Sequence, residues 1–290
     1  MQDLVYELTG LMRRNPDGSY LTQAGRRAIL IQAAAHLRQA GYKDLDVAGL
    51  KGRHVKALLK QWQAEGLSAA TQKNRMAALR WWAEKIGNPG AVDRRNGTYG
   101  IGQRTYKAQT SKATELPADK LSLVRNQYVR MSLELQRAFG LRREEALKIK
   151  PFQADHGDRL VLQASWTKGG RPREIPIRTL AQRALLDQAK ALVTLKSASL
   201  IPAHRTYAQQ LHAYEGQCRR AGLDKMHGLR HAYAQERFLD LTGFPCPAAG
   251  GPPREALTPA QREADYDARV LISTELGHGR EAITAAYLGR

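Results

Sequence analysis

The sequence predicts a mainly α-helical protein with one small β-hairpin, divided into a helical amino-terminal domain and a mixed α/β carboxy-terminal domain. Three observations predict this. Apolar residues recur at helical spacing along most of the chain, the pattern switches once to alternation, and it vanishes between residues 87 and 113. At 290 residues the chain has the length of about two domains.

In the first domain, set at residues 1–90, Thr22 is placed to cap a helix over residues 23–39, with Ala24, Ala28, Ile31 and Ala35 as its apolar stripe. Val55, Leu58, Leu59 and Trp62 follow the i, i+3, i+4, i+7 spacing of a second helix, and Gly66 stops it. Ser68 opens a third, which buries Met76, Leu79, Ala83 and Ile86 and ends at Gly87. Its other face carries Gln72, Lys73, Asn74, Arg75 and Arg80. A basic helix face is often only solvated surface, yet these side chains are the candidates for contact with a phosphate backbone. Residues 91–114, rich in glycine and basic residues, read as a linker.

The second domain, set at residues 115–290, alternates at Leu160, Leu162, Ile175 and Ile177 around Thr167-Lys168-Gly169-Gly170-Arg171-Pro172, the pattern of a hairpin with a glycine-containing turn. Helical spacing marks residues 180–195, 207–221 and 228–241 and the stretch before His278, with a loop at 245–253.

Composition narrows the partners. Lys and Arg number 46 against 27 Asp and Glu, a formal charge of +19. Both parts share it: residues 1–115 hold 19 basic and 9 acidic side chains, and 116–290 hold 27 and 18. Such a field suits a polyanion held by two modules. No apolar run reaches the roughly 20 residues of a membrane span, and the amino terminus lacks a secretory pattern. The expectation is a cytoplasmic protein with no membrane partner. Cys218 and Cys246 form no Cys-x-x-Cys pair, and no carboxylate cluster suits a magnesium pair, so neither metal nor cofactor is expected.

Three stretches carry chemistry. Arg142 and Glu145 stand i, i+3, close enough for the carboxylate to orient the guanidinium. His227 and Arg230 project from one face of a helix start, where an arginine fork matches two phosphate oxygens. His278 precedes Tyr287 by nine residues. Each has an ordinary reading, as surface ion pair, core histidine or buried aromatic anchor. Together they offer several donors and a hydroxyl nucleophile.

Gly140-Leu141-Arg142-Arg143-Glu144-Glu145, His227-Gly228-Leu229-Arg230-His231 and Leu276-Gly277-His278 followed by Tyr287 resemble, in order, the boxes of the tyrosine recombinases, the phage-type integrase family. Lys168 falls where that family carries a hairpin lysine. The resemblance implies a helical core-binding domain followed by a mixed α/β catalytic domain. It also implies a site-specific recombinase or integrase of a mobile element that cuts double-stranded DNA through a 3′-phosphotyrosyl bond. Arg142 and Arg230 would clamp the phosphate, His227 and His278 donate hydrogen bonds, Tyr287 attack and Lys168 protonate the leaving 5′-oxygen. Glu145 would position Arg142, and Lys73, Asn74, Arg75 and Arg80 would meet DNA.

A homotetramer on paired sites, with host DNA-bending or directionality factors, in the cytoplasm of a prokaryote, follows from the same resemblance. A dimer-resolving recombinase or a topoisomerase of the same chemistry, and a non-cleaving DNA-binding regulator, are the alternatives. Two departures from the family pattern stand out. Three residues follow Tyr287, which puts tail docking on a neighbour in doubt, and no room precedes the core-binding helices for an arm-binding domain. Arg230 and His278 lie 48 residues apart, with the excess near residues 243–265, which reads either as a subunit or DNA contact or as a passive loop.

Overall fold

A computed structural model describes residues 3–104 and 106–290. The chain forms two compact units, Met1–Thr105 and Tyr106–Arg290.

The first unit is built from α1 (Leu4–Arg14), α2 (Tyr20–Gln39), α3 (Gly52–Ala64) and α4 (Ala69–Lys85). Asp3 caps α1, its carboxylate accepting from the Val5 N–H at 3.1 Å. Ser19, not Thr22, caps α2: the Ser19 hydroxyl accepts from the Thr22 N–H, and its backbone is extended. The helix therefore begins three residues before the reading from Thr22 put it, because the Pro16-Asp17-Gly18 turn precedes a better-placed cap. Ser68 caps α4 as the spacing predicts. Leu8, Leu30, Leu37, Leu58, Trp62 and Trp82 are fully buried in a common core. The Trp82 indole N–H is satisfied by the Val47 carbonyl at 2.8 Å.

Of residues 91–114, expected as a linker, Ala91, Val92 and Ile101 bury in this same core. Arg80 holds the returning chain, donating to the Asp93 carbonyl and to Asn96 Oδ1, both at 2.8 Å. Three isolated apolar residues have no period to read, which is why they look like linker in the sequence. Further on, the Thr114 N–H donates to the Gly228 carbonyl and Ser111 to Gln235, so this part is fastened to the second unit.

The second unit contains α5 (Ala118–Ser122), α6 (Gln127–Phe139), α7 (Arg143–Lys148), α8 (Pro151–Ala154), β1 (Arg159–Leu162), β2 (Arg173–Pro176), α9 (Leu180–Leu192), α10 (Tyr207–Arg220), α11 (Gly228–Thr242), α12 (Pro259–Glu275) and α13 (Ala285–Leu288). The strands pair antiparallel, with Leu160 opposite Ile175 and Leu162 opposite Arg173. Leu160, Leu162 and Ile175 bury against Phe139, Leu141 and Ala146. Helix α11 packs on α6, α12 and α13, and so carries residues 227–231 into the middle of the unit. Residues 243–258 make two single 3₁₀ turns, Pro247–Ala249 and Arg254–Ala256, before Thr258 caps α12. The sequence reading of a loop at 245–253 thus becomes a folded segment whose Cys246 and Ala248 are buried.

Gly140 ends α6 with φ +61°, and a Cβ there would meet Tyr233 Cδ1 at 2.5 Å. Only glycine relieves both constraints. Gly140→Ala is expected to destabilise the second unit by about 2–4 kcal/mol, read as a drop in its denaturant midpoint at unchanged slope.

Candidate active site

Helix α7 is six residues long and relies on its first turn. The Glu145 carboxylate folds back so that Oε2 accepts the Arg142 N–H at 2.6 Å, while Oε1 accepts Arg142 NH1 at 2.8 Å. The i, i+3 pairing predicted from sequence is present, with Arg142 as the capping residue and its side chain half-buried.

Glu145 is completely buried and has a second partner that the sequence reading missed. Arg173 from β2 grips it with two parallel bonds of 2.7 Å and donates its Nε–H to the Glu275 carbonyl at 2.9 Å. Burial alone would push the Glu145 carboxyl upward. The Arg173 fork, helped by Arg230 and Arg142, overcomes this and brings it to about 2. A signal for Arg173 was available: it sits two residues before Ile175, at an inward position of a strand whose other inward residues are apolar.

Gly277 stands beside Arg173, with φ +67° and room for no Cβ, since one would meet Arg173 Cδ at 2.8 Å. Leu276-Gly277-His278 is therefore a helix end that passes closely over an arginine. Leu276 anchors in the core, Gly277 turns, and His278 emerges into the site.

Arg230 is wholly buried on α11. Its NH1 donates to the Gly140 carbonyl at 2.5 Å, its NH2 to the Leu276 carbonyl and its Nε to Tyr287 Oη at 3.2 Å. Burial lowers its pKa to about 10, which leaves it charged at neutral pH. His278 Nε2 lies 3.3 Å from Tyr287 Oη and 3.5 Å from Arg230 NH2. The phenol oxygen of Tyr287 thus sits between a guanidinium and an imidazole, on a side chain only 6% exposed.

His227 immediately precedes α11 at the exposed rim, its ring centroid 6.2 Å from that of Tyr287. His231, not singled out from sequence, lies nearer, at 4.6 Å, and is buried, with no hydrogen-bond partner for Nδ1 among the described residues. Desolvation, reinforced by the neighbouring arginines, lowers His278 to about 4; desolvation and His227 do the same for His231. His227 is lowered too, by desolvation and then by Arg230.

The structure therefore brings Arg142, Glu145, Arg230, His278 and Tyr287 into one connected cluster with His227 at its edge. Lys168 is exposed in the loop joining β1 to β2, and among the described residues it makes no hydrogen bond or ion pair with the cluster. On α4, Arg80 is engaged with Asp93 and Asn96. Arg75 lies over the Trp62 ring at 5.3 Å and 3.8 Å from Glu65. Asn74 is exposed and accepts from Arg104 at 3.4 Å, and Lys73 is half-buried. Two of the four side chains proposed to meet DNA thus also hold their own unit together.

Sequence comparison matches a family described as "Phage integrase, N-terminal" over residues 1–89 and one described as "Integrase" over residues 102–236. The chain belongs to the phage integrase family, the tyrosine recombinases. Arg142, Lys168, His227 and Arg230 lie inside the integrase match, and His278 and Tyr287 lie beyond it. No curated protein sequence matches.

Several solved integrases and recombinases share the fold of this family member. A lambda integrase (residues 75–356) dimer bound to a COC′ core site superposes with a TM-score of 0.58 at 14% identity, covering 99% of this chain and 95% of that one. XerH recombinase bound to a palindromic difH substrate gives 0.57 at 16% identity, covering 99% and 81%. The Tn1549 transposon integrase (residues 82–397) with circular intermediate DNA gives 0.53 at 14%, covering 100% and 96%. The two-domain arrangement, mostly helical with a two-stranded sheet, is the one expected from the sequence. No helix among the described residues is long and apolar enough to cross a membrane.

The histidines set a pH dependence for this integrase. A histidine held at about 4 in the folded state and near 6.5 when unfolded binds protons preferentially in the unfolded chain. Stability is therefore complete above about 6.5 and is lost as pH falls toward 4. Glu145, at about 2 against a usual 4.5, keeps its own contribution through most of that window. The melting temperature of the second unit is expected to fall between pH 6.5 and 4, and His231→Asn with His278→Gln is expected to flatten the profile.

Proposed function

We propose that this integrase cuts and rejoins double-stranded DNA at specific sites to integrate or excise a mobile element, with Tyr287 as nucleophile. The observation that carries the reading is the position of Tyr287 Oη, within hydrogen-bond reach of both Arg230 Nε and His278 Nε2. A tyrosine buried merely as an anchor has no use for a guanidinium donor and an imidazole nitrogen at its oxygen.

Arg230 has five N–H groups; with four directed at Gly140, Leu276, Tyr287 and His278, one on NH1 remains for a phosphate placed beside the phenol. Arg142, fixed by Glu145, supplies a second guanidinium, and His227 a donor at the rim. Tyr287 Oη attacks phosphorus as its proton passes to His278 Nε2. The bond to the 5′-oxygen breaks, and Lys168, brought in by its exposed loop, supplies the proton that makes the 5′-hydroxyl. The 3′-phosphotyrosyl bond preserves the phosphoester for attack by a 5′-hydroxyl of a partner strand. The cationic cluster neutralises charge on the non-bridging oxygens in a site largely closed to water.

The charge of +19 and the DNA-bound state of the similar lambda and Tn1549 integrases support DNA as substrate. The lambda integrase tetramer on a Holliday junction supports a tetramer on paired sites. Lys73 and Asn74 on α4 are the proposed first-unit contacts, with Arg75 and Arg80 shaping that face.

The test is covalent capture. Protein is incubated with nicked duplexes from the ends of the DNA segment that encodes it, denatured and digested. The expected result is an adduct on the peptide carrying Tyr287. An adduct on another residue, or none while the protein still retards the DNA on a native gel, would overturn the assignment.

A further inference from the structure

Residues 243–258, the stretch that lengthens the path from Arg230 to His278, lie against the segment that carries Tyr287. Cys246 and Ala248 share one apolar cluster with Tyr287 and Leu288. Gly289 has φ +72°, and a Cβ on it would meet the Ala248 nitrogen at 2.8 Å and the Ala108 carbonyl at 3.0 Å. The 243–258 segment is itself tightly folded. The Gly251 N–H donates to the Cys246 carbonyl at 3.0 Å, and a Cβ on Gly251 would run into the Pro245 carbonyl.

Helix α12 closes the other side. Arg269 NH1 donates to the Gly289 carbonyl at 2.9 Å, and Asp265 locks Arg269 through bonds of 2.9 and 2.8 Å to Nε. Both side chains are buried. The space left among Pro247, Arg269 and Arg290 is about 10 Å³, no more than about one water. The Ala108 N–H reaches the Ala285 carbonyl at 2.9 Å, and Gln235 reaches the Tyr287 carbonyl at 3.0 Å.

A four-residue helix has too few internal hydrogen bonds to hold a side chain still, so the placement of Tyr287 must come from these outside contacts. We infer that residues 243–258 and Arg269 form a cradle that positions the Tyr287 segment for attack, with Arg269 as a positioning residue acting through the Gly289 carbonyl. This rests on the reading of Tyr287 as nucleophile. The cradle is internal to the chain, a role not among the subunit contact, DNA contact or passive loop that the sequence suggested.

Arg269 alone cannot be removed cleanly, because Asp265 would be left buried and unpaired. The double variant Asp265→Leu/Arg269→Met replaces the pair by apolar side chains and removes the donor to Gly289, with methionine taking the place of the guanidinium over the Phe238 ring. Arg269→Lys keeps both a charge for Asp265 and a donor. Two quantities are measured: hydrogen exchange of the peptide spanning 285–290 in the free protein, and the rate of covalent capture on nicked duplex as DNA is raised to saturation.

In the double variant, exchange of that peptide is expected to rise about tenfold. The saturating capture rate should fall about tenfold while the half-saturating DNA concentration changes less than about twofold. Arg269→Lys should recover most of both. Unchanged exchange, a loss confined to DNA affinity, or Arg269→Lys behaving like the double variant would each overturn the cradle. Should wild-type protein give no adduct on Tyr287, the nucleophile reading falls, and the exchange measurement alone decides whether the cradle exists.

Discussion

Tyr287→Phe is expected to abolish covalent capture, by more than about a thousandfold, while DNA retardation on a native gel persists. The substitution removes one oxygen from a ring packed among Cys246, Ala248 and Leu288, so the apolar contacts of the segment survive. It also has a cost outside the chemistry. Arg230 Nε loses its acceptor in a fully buried position, where an unpaired donor costs about 1–3 kcal/mol. The variant should therefore melt somewhat earlier than wild type yet remain folded at assay temperature. Circular dichroism beside the capture gel separates the two effects, and capture by the Phe variant would remove Tyr287 from the mechanism.

Arg173→Ala has the largest expected effect on the fold. Arg173 is the sole partner from the hairpin for Glu145, which is completely buried and ionised. Removing the fork leaves the carboxylate bonded only to Arg142, with Arg230 near it, and strips the Glu275 carbonyl of its Arg173 donor. Breaking a buried pair from one side costs about 3–5 kcal/mol. The second unit should unfold at clearly lower urea, and its denaturation should also shift with pH, because an unpaired Glu145 takes up a proton nearer the usual carboxylate range. Adding Glu145→Gln to Arg173→Ala should recover part of the loss by removing the stranded charge. No recovery would mean that Arg173 acts mainly through the Glu275 carbonyl.

Much of this was legible in the sequence, and what was not has identifiable causes. The stripes of α3 and α4, the alternating strands and the glycine stops follow local rules that need no knowledge of the fold, whereas the α2 stripe was misread: Ala24, Ala28 and Ala35 are exposed, and Leu30, Ala33, Ala34 and Leu37 face the core. The pairing of Arg142 with Glu145 was readable because three residues separate them. Arg173 was not read, since its carboxylate partner is 28 residues away on α7 and only tertiary packing brings strand and helix together. The loop at 245–253 gave no periodic signal because it folds by glycine turns and close backbone contact, and its neighbour is the chain near Gly289. The α2 cap was misplaced by three residues because Ser19 and Thr22 are both competent, and their hydroxyls bond to each other at 3.0 Å. Arg75 and Arg80 looked like a free basic face because a helical wheel cannot show Trp62 and Glu65 beside Arg75 or the returning chain at Asp93 and Asn96 beside Arg80.

Arg230 joins the end of α6, through the Gly140 carbonyl, to the end of α12, through the Leu276 carbonyl, and neither acceptor has anything to do with DNA. A family member without strand cleavage would still need that side chain to close its interior, whereas a phenylalanine at position 287 would take from the packing only one acceptor, that of Arg230 Nε. Persistence of the arginine in a related gene is thus a record of architecture, and persistence of the tyrosine is the better witness to a working enzyme.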